Sequence, residues 1–375
     1  MKIVFTGGVT GGHFYPIIAV AEAVTELVRE KKLVNPKMYF VAPGQYNSGL
    51  LSDHNIEYRY VTSGKKRKYF SLLNFVDLFK IIIGIFQAIW VIFRIYPDVI
   101  FSKGGYGSIP TVIAGKILHI PIIIHESDSK PGKANLWAGK FANKIAVSYP
   151  EAAEFFIKER VAFTGNPIRK AVQIPTPEGG AKFFELEEDV PIILVIGGSQ
   201  GAGAINDAII DILSDVVKKY QVIHQTGQNN FEQVTKVSDM KLELSEFKDR
   251  YKPVKYLNDV GVKMAAGACS LVITRAGSSL FEIALWGKPS IIIPIPEDVS
   301  HDQRTNAFNY ARSGAGVVIE QHNATPEILM GEITRIFENE DYRNNMIENA
   351  KKFAVPDAGR KIAVEIIKTA LKHEE

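Results

Sequence analysis

His13 closes the segment Gly7-Gly-Val-Thr-Gly-Gly-His13, directly after the apolar run Ile3 to Thr6. An imidazole titrates near neutrality, and the positive end of a helix starting there lowers its pKa and favours the neutral form that accepts a proton. His13 is therefore the leading candidate for a general base, with fixing the loop or touching a phosphate as its plainer role. Glu126 follows the run Ile122 to His125 and is the second candidate, with orientation as the alternative task of the His125-Glu126 pair.

Four glycine-rich turns follow short apolar runs: Gly7 to His13, Lys103-Gly-Gly-Tyr-Gly-Ser108, Gly197-Gly-Ser-Gln-Gly-Ala-Gly203 and Arg275-Ala-Gly-Ser-Ser279. Glycines let backbone amides approach an anion, and a helix that follows adds its positive end and unpaired N–H groups, so a diphosphate is the natural ligand. A tight strand-to-helix turn explains any one of them equally well. Four in one chain point to a ligand.

Two familiar phosphate binders fail on spacing. A Walker loop needs Lys and then Ser or Thr after its last glycine, but Gly12 precedes His13 and Phe14. A dinucleotide fingerprint needs G-x-G-x-x-G, whereas the third turn runs G-x-x-G-x-G from Gly198, and the strand near Phe40 ends in Val-Ala-Pro-Gly without an acid. No Asp-x-Asp pair and no His/Cys cluster with metal spacing occurs. No metal and no cofactor is expected, and basic residues such as Arg169 and helix ends are left to neutralise the diphosphate.

The elements that must position these residues are parallel strands with crossover helices. The clearest strands are Ile3 to Thr6, Val99 to Ser102, Ile122 to His125, Ile192 to Ile196, Leu271 to Thr274 and Ser290 to Ile293, nearly all continuous apolar runs, as strands covered on both faces should be. Ile3-Val-Phe-Thr-Gly-Gly is echoed by Leu194-Val-Ile-Gly-Gly, so the chain reads as two similar halves. The seam lies at Thr164-Gly-Asn-Pro-Ile-Arg169 and the Pro- and Gly-rich stretch Pro175 to Gly180. At 375 residues each half is large enough for its own core. Beyond Pro356, Ala358 to Lys372 reads as a further helix whose pattern does not say which half it joins.

Composition is globular: 46% hydrophobic, 23% charged, net charge +3, too slight an excess for nucleic-acid binding by the chain as a whole. A single cysteine, Cys269, and a start without the pattern of a signal peptide imply a reducing, cytoplasmic setting.

Gly8-Val-Thr-Gly-Gly-His13 with Pro16, Ser102 to Ser108, His125-Glu126, Gly165-Asn-Pro-Ile-Arg169, Gly197-Gly-Ser-Gln-Gly201, His224-Gln-Thr-Gly227 and Arg275-Ala-Gly-Ser-Ser-Leu-Phe-Glu282 together resemble the MurG family. The matches keep the family's order from residue 5 to about residue 310. The resemblance implies an α/β protein of GT-B architecture, two Rossmann-like doubly wound parallel-sheet domains facing across a cleft. It places an N-terminal acceptor and membrane domain at 1–165, with the C-terminal helix at 356–375 packing back on it, and a donor-nucleotide domain at 166–355.

The activity it implies is inverting transfer of N-acetylglucosamine from UDP-N-acetylglucosamine to undecaprenyl-diphospho-muramoyl-pentapeptide. In that reading Glu282 holds the ribose hydroxyls and the backbone at Leu257 meets the uracil. Ser199, Arg169 and the turn Ala276-Gly277-Ser278 take the diphosphate, Gln303 and Asn306 face the donor sugar, and Thr10, Gly11 and Gly12 join the donor site. Gly104, Gly105, Tyr106 and Asp128 form the acceptor phosphate loop. Val9, the pair Ser127-Asp128 and Asp302 stand where family members carry other residues. A related transferase acting on another lipid such as a diacylglycerol, or a non-catalytic sugar-nucleotide or lipid binder, are the competing functions.

Ile81 to Phe93 is an apolar stretch of thirteen residues with Gln87 inside it, short of the about 20 needed to cross a bilayer. Leu72, Phe75, Val76, Phe79, Ile82, Ile83, Phe86, Trp90 and Phe93 follow helical spacing, after the basic run Lys65-Lys66-Arg67-Lys68. A buried helix explains the stripe. The additional Ile81, Ile85, Ile89 and Ile92, beside four cations, suit a helix lying on an anionic membrane, which makes the cytoplasmic leaflet the second expected partner.

Overall fold

The computed structural model describes residues 1–64, 73–198, 202–297 and 303–374. Met1–Arg169 and Val355–Glu375 form one compact unit, Lys170–Ala354 the other. Within the first unit Arg169 packs its guanidinium over the ring of Tyr15, 4.0 Å from its centroid.

The first unit carries seven parallel strands: β1 (Lys2–Thr6), β2 (Lys37–Ala42), β3 (Ile56–Tyr60), β4 (Val99–Ser102), β5 (Ile122–Glu126), β6 (Lys144–Val147) and β7 (Val161–Phe163). Their order across the sheet is β3-β2-β1-β4-β5-β6-β7. Between them run α1 (Gly11–Glu30), α2 (Ser48–Asp53), α3 (Leu73–Ile95), α4 (Ile109–Ile117) and α5 (Lys133–Gly139). Alternate residues of one strand serve opposite faces. Ile3 and Phe5 pack with Phe14, Ile17 and Phe40 on one side, while Val4 packs with Ala88, Ile92, Ile100 and Val112 on the other. A strand buried on both faces has to be apolar throughout, as β1 is.

The second unit repeats the scheme with β8 (Ile192–Ile196), β9 (Gln221–Gln225), β10 (Tyr251–Val254), β11 (Cys269–Thr274), β12 (Ser290–Ile292) and β13 (Gly316–Val318). The order is β10-β9-β8-β11-β12-β13, again parallel throughout. Its helices are α6 (Lys170–Gln173), α7 (Gly180–Phe183), α8 (Gly203–Lys219), α9 (Phe231–Leu242), α10 (Asp259–Ala268), α11 (Ser279–Trp286), α12 (Gln303–Arg312), α13 (Pro326–Glu338) and α14 (Glu340–Phe353). Ile193 and Val195 belong to one core cluster, Ile192 and Leu194 to another across the sheet.

Both sheets reverse direction between their first and fourth strands, the doubly wound arrangement in which ligands bind at the carboxyl ends beside the switch point. The chain returns to the first unit through α15 (Ala358–Glu374). Ile362, Ala363, Ile366, Ile367 and Ala370, one face at helical spacing, join the core under α1, and Arg360 donates to both carboxylate oxygens of Glu30 at 2.9 and 2.7 Å.

Along the described part of α3 the stripe faces outward instead of into the core, while the side chains of Leu72, Phe75 and Val76 lie outside the described residues. Phe79, Phe86, Trp90 and Phe93 are 66, 70, 61 and 58% exposed, and Ile82 and Ile83 are exposed beside them. Ala88 and Ile92 are buried in their place. The face is fixed by close approach: a Cβ at Gly84 would stand 2.0 Å from the carbonyl oxygen of Thr62, and the Thr62 amide donates to Gln87 Oε1 at 3.0 Å. The polar residue inside the apolar run thus ties the helix to the loop after β3. Lys65, Lys66, Arg67 and Lys68 lie outside the described residues. Among the described residues no helix is long and apolar enough to cross a membrane.

Candidate active site

All four glycine turns stand at the carboxyl ends of the strands flanking the two switch points. In the first unit these are the turns after β1 and β4, in the second those after β8 and β11. Topology therefore brings together in pairs what the sequence spreads over some two hundred and seventy residues.

In the first unit the two turns touch. Gly104 and Gly105 have φ of 82° and 80°, which glycine adopts without strain. A Cβ at Gly105 would lie 3.1 Å from His13 Nε2 and 3.3 Å from the Gly8 nitrogen, and one at Gly104 would collide with the Asn135 amide at 2.6 Å. Gly11 and Gly12 open α1 after Thr10, its N-cap. Gly11 lies against Tyr46 and Tyr15, the ring that carries Arg169, so the Arg169 cation stands close to the first turn. Thr10 Oγ1 is 2.8 Å from His13 Nδ1. Burial, and then the positive charge of Lys103, lower the His13 pKa to about 4, so the imidazole is neutral at physiological pH.

Beneath the turns lies a buried polar layer. Glu126 accepts from the Asp128 and Gly132 amides and from Asn135 Nδ2, all at 3.0 Å. Desolvation and the neighbouring Asp128 raise its pKa, against the pull of Lys103. Both carboxylate oxygens are thereby committed to shaping the Asp128–Gly132 loop. His125 is a buried strut: its Nε2 lies 3.1 Å from both the Gly165 carbonyl and Ser148 Oγ. Lys103, 2% exposed, is a charge that sequence reading passed over although it begins the second turn. Desolvation lowers its pKa while Glu126 and Asp128 raise it. Tyr106 accepts from Ser63 Oγ through its carbonyl at 2.7 Å, tying the second turn to the loop after β3.

In the second unit Ser199 lies outside the described residues, between Gly198, whose φ is 93°, and α8. Gln225, at the end of β9, bridges two turns: its Nε2 donates to the Gly198 carbonyl at 3.3 Å and its Oε1 accepts from the Leu257 amide at 2.9 Å. The Leu257 nitrogen is thus engaged within the protein. Ala276 and Gly277 lead into Ser278, the N-cap of α11, and Glu282 lies in that helix's first turn, partly buried. Asn306 Nδ2 donates to the Ala276 carbonyl at 3.3 Å, so this residue braces the turn; Gln303 begins the same helix, α12. Arg275, another residue sequence reading left out as an anchor, donates to the carbonyls of Ile293 and Pro294 at 2.8 and 3.0 Å and to Gln321 Oε1 at 2.9 Å. His224, its pKa lowered to about 3 by burial, sits between Tyr251 and Asn206 as a core residue.

Each unit thus sets two glycine turns at its switch point, and the first adds a neutral imidazole. Residues 3–147 match the glycosyltransferase family 28 N-terminal domain and residues 192–362 its C-terminal domain. A relative from Treponema denticola, UDP-N-acetylglucosamine--N-acetylmuramyl-(pentapeptide) pyrophosphoryl-undecaprenol N-acetylglucosamine transferase, is 34% identical over 97% of this chain and 95% of its own length. The protein of the same name from Clostridium botulinum is 34% identical over 99% of both. Among solved structures, Acinetobacter baumannii MurG superposes with a TM-score of 0.70 at 22% identity, covering 98% of this chain and 99% of its own. The UDP-GlcNAc 2-epimerase of Neisseria meningitidis bound to UDP-GlcNAc gives 0.69 at 15%, covering 99% and 100%. These two share the GT-B fold. With both family 28 domains matched and about a third of residues identical to such transferases along nearly its whole length, this chain belongs to the MurG family of glycosyltransferases.

Proposed function

We propose that this chain transfers N-acetylglucosamine from UDP-N-acetylglucosamine to undecaprenyl-diphospho-muramoyl-pentapeptide, with inversion at the anomeric carbon. The observation that carries the reading is 34% identity, over nearly the whole chain, to transferases named for that donor and acceptor. The acceptor hydroxyl oxygen bonds to the anomeric carbon as its proton passes to His13 Nε2. The bond from that carbon to the diphosphate oxygen breaks, and the electron pair leaves on UDP. Glu126, whose oxygens are held by three donors, shapes the acceptor loop instead of taking the proton. Gly104, Gly105 and Tyr106 receive the acceptor diphosphate, and Asp128, whose amide is bonded to Glu126, belongs to the loop beside them. Arg169, Ser199, the Ala276-Gly277-Ser278 turn and the positive end of α11 stabilise the departing one. Gly11, Gly12 and the backbone of Thr10, whose hydroxyl is turned to His13, border the donor, Gln303 faces the donor sugar, and Asn306, buried against the Ala276 carbonyl, holds the turn. Mass spectrometry tests the reading: the lipid gains one N-acetylhexosamine and UDP is released in equal amount. A lipid of unchanged mass with free sugar in solution overturns it.

Glu282 accepts from the ribose hydroxyls, and Leu257 meets the uracil through its carbonyl, since its amide is taken by Gln225. Losing a charged hydrogen-bond partner costs about 1.5–3 kcal/mol. Glu282→Ala therefore weakens donor binding about 10- to 150-fold while turnover at saturating donor survives. An unchanged donor Kd removes Glu282 from the site. Because the diphosphate is neutralised by amides and Arg169, calorimetry in EDTA gives the same UDP-N-acetylglucosamine affinity as in magnesium; binding abolished by chelation contradicts this.

The exposed face of α3 and the run Lys65 to Lys68 hold the protein peripherally on the anionic cytoplasmic leaflet, where its lipid acceptor resides.

A further inference from the structure

Thr10 occupies the N-cap of α1, with the extended backbone (φ −115°, ψ 158°) that lets a Thr hydroxyl accept from an amide three residues on. It makes no such bond. At the other Asn and Thr N-caps with extended backbone among the described residues the expected pattern holds: Asn47, Asn258, Thr325 and Asn339 cap their helices by accepting from Leu50, Gly261, Ile328 and Tyr342. The amide that Thr10 would serve, that of His13, donates instead to the Thr10 carbonyl at 3.0 Å. The hydroxyl, released from capping, lies 2.8 Å from His13 Nδ1.

A neutral imidazole carries one proton, and which nitrogen holds it decides whether the other can act as a base. His13 Nε2 is the atom directed at the junction of the two glycine turns, where the absence of side chains at Gly105 and Gly8 leaves room for the ring. We propose that Thr10 is a positioning residue: its hydroxyl oxygen accepts the Nδ1–H of His13 and so holds the tautomer whose Nε2 lone pair faces the acceptor site. The inference rests on the reading of His13 as the base. When Nε2 takes the acceptor proton, Nδ1–H keeps the same partner, so the imidazolium forms without rearrangement of the ring. The opposite tautomer, with Thr10 donating to Nδ1, would present an Nε2–H able to bind an anion but unable to take a proton.

Three variants of the full chain test this, each checked for an unchanged circular dichroism spectrum and melting temperature. Thr10→Val keeps the shape and removes the hydroxyl; Thr10→Ser keeps the hydroxyl; His13→Ala removes the ring. The expected result is a kcat lowered about tenfold or more in Thr10→Val, with donor KM held and activity recovered in Thr10→Ser. Nitrogen-15 spectra of histidine-labelled protein, with the His13 signals assigned by their loss in His13→Ala, show protonated Nδ1 in the wild type and a shift towards protonated Nε2 in Thr10→Val. A wild type protonated on Nε2, or a Thr10→Val protein with normal kcat beside an inactive His13→Ala, overturns the proposal alone. A Thr10→Val protein with raised donor KM and normal kcat also overturns it, leaving Thr10 as a donor contact. Full kcat in His13→Ala overturns instead the base assignment on which it stands.

Discussion

His13→Ala lowers kcat by about 10²–10⁴, the usual contribution of a positioned general base, and leaves donor affinity unchanged. The donor contacts assigned above do not include the imidazole, so only the step that moves a proton should suffer. The pH dependence follows from the lowered pKa. A histidine held at about 4 by burial and Lys103 is neutral, and competent as a base, at every pH well above that value. The rate of the wild type therefore stays level through neutrality and falls only as pH drops towards about 4, where protonation fills Nε2. An unperturbed histidine would lose activity near 6.5 instead. Glu126 and Lys103 titrate in the same layer, so the acid limb is compared between wild type and His13→Ala, in which it should vanish. Full turnover in His13→Ala at saturating substrates moves the base elsewhere.

Replacing Phe86 and Trp90 together by Ser abolishes most binding to anionic vesicles. These side chains are 70 and 61% exposed on one face of α3, so their loss spares the core formed by Ala88 and Ile92. Burying a large apolar side chain is worth about 1.5–3 kcal/mol, so the pair contributes up to about 3–6 kcal/mol to a membrane-inserted face. Changing Lys65, Lys66, Arg67 and Lys68 to Gln removes about 1 kcal/mol per cation near an anionic surface. The second effect shrinks in salt, because screening acts within a Debye length, and the first does not. Vesicle sedimentation measures both, and activity on a short soluble acceptor analogue stays normal in either variant. A double Ser variant that sediments like the wild type shows that the face contacts something other than lipid.

How far the sequence reveals this molecule varies with the kind of residue. The six clearest strands were legible because strands covered on both faces are continuous apolar runs, and the structure alters only their ends. β5 runs on to Glu126, whose backbone pairs with Val147, and β11 starts at Cys269 with a register shift before Leu271. Strands such as β10, with Pro253, and β7, whose Ala162 and Phe163 are exposed, lie at sheet edges and lack that signature. In α3 the apolar residues surround the helix, so periodicity could not say which face is inward; Gly84 and Gln87 decide it through contacts with Thr62, more than twenty residues away.

The candidate site divides in the same way. Its glycine turns and His13 announce themselves by composition and by their place after strands. The work of Gln225, Arg275 and Lys103 depends on partners far along the chain, and nothing local marks it. Glu126 carried the right residue type for a base, but only its three hydrogen-bond donors reveal a loop anchor.

Transfer to a polyprenyl-linked muramoyl acceptor is separated from transfer to another lipid by offering UDP-N-acetylglucosamine labelled in the sugar with two lipids in parallel. One is undecaprenyl-diphospho-muramoyl-pentapeptide, the other diacylglycerol, each in the same anionic vesicles with the wild-type chain. The expected result is label in the first lipid, release of UDP in equal amount, loss of both with His13→Ala, and no label in diacylglycerol. Label entering diacylglycerol, or entering neither lipid while the donor still binds, would contradict it.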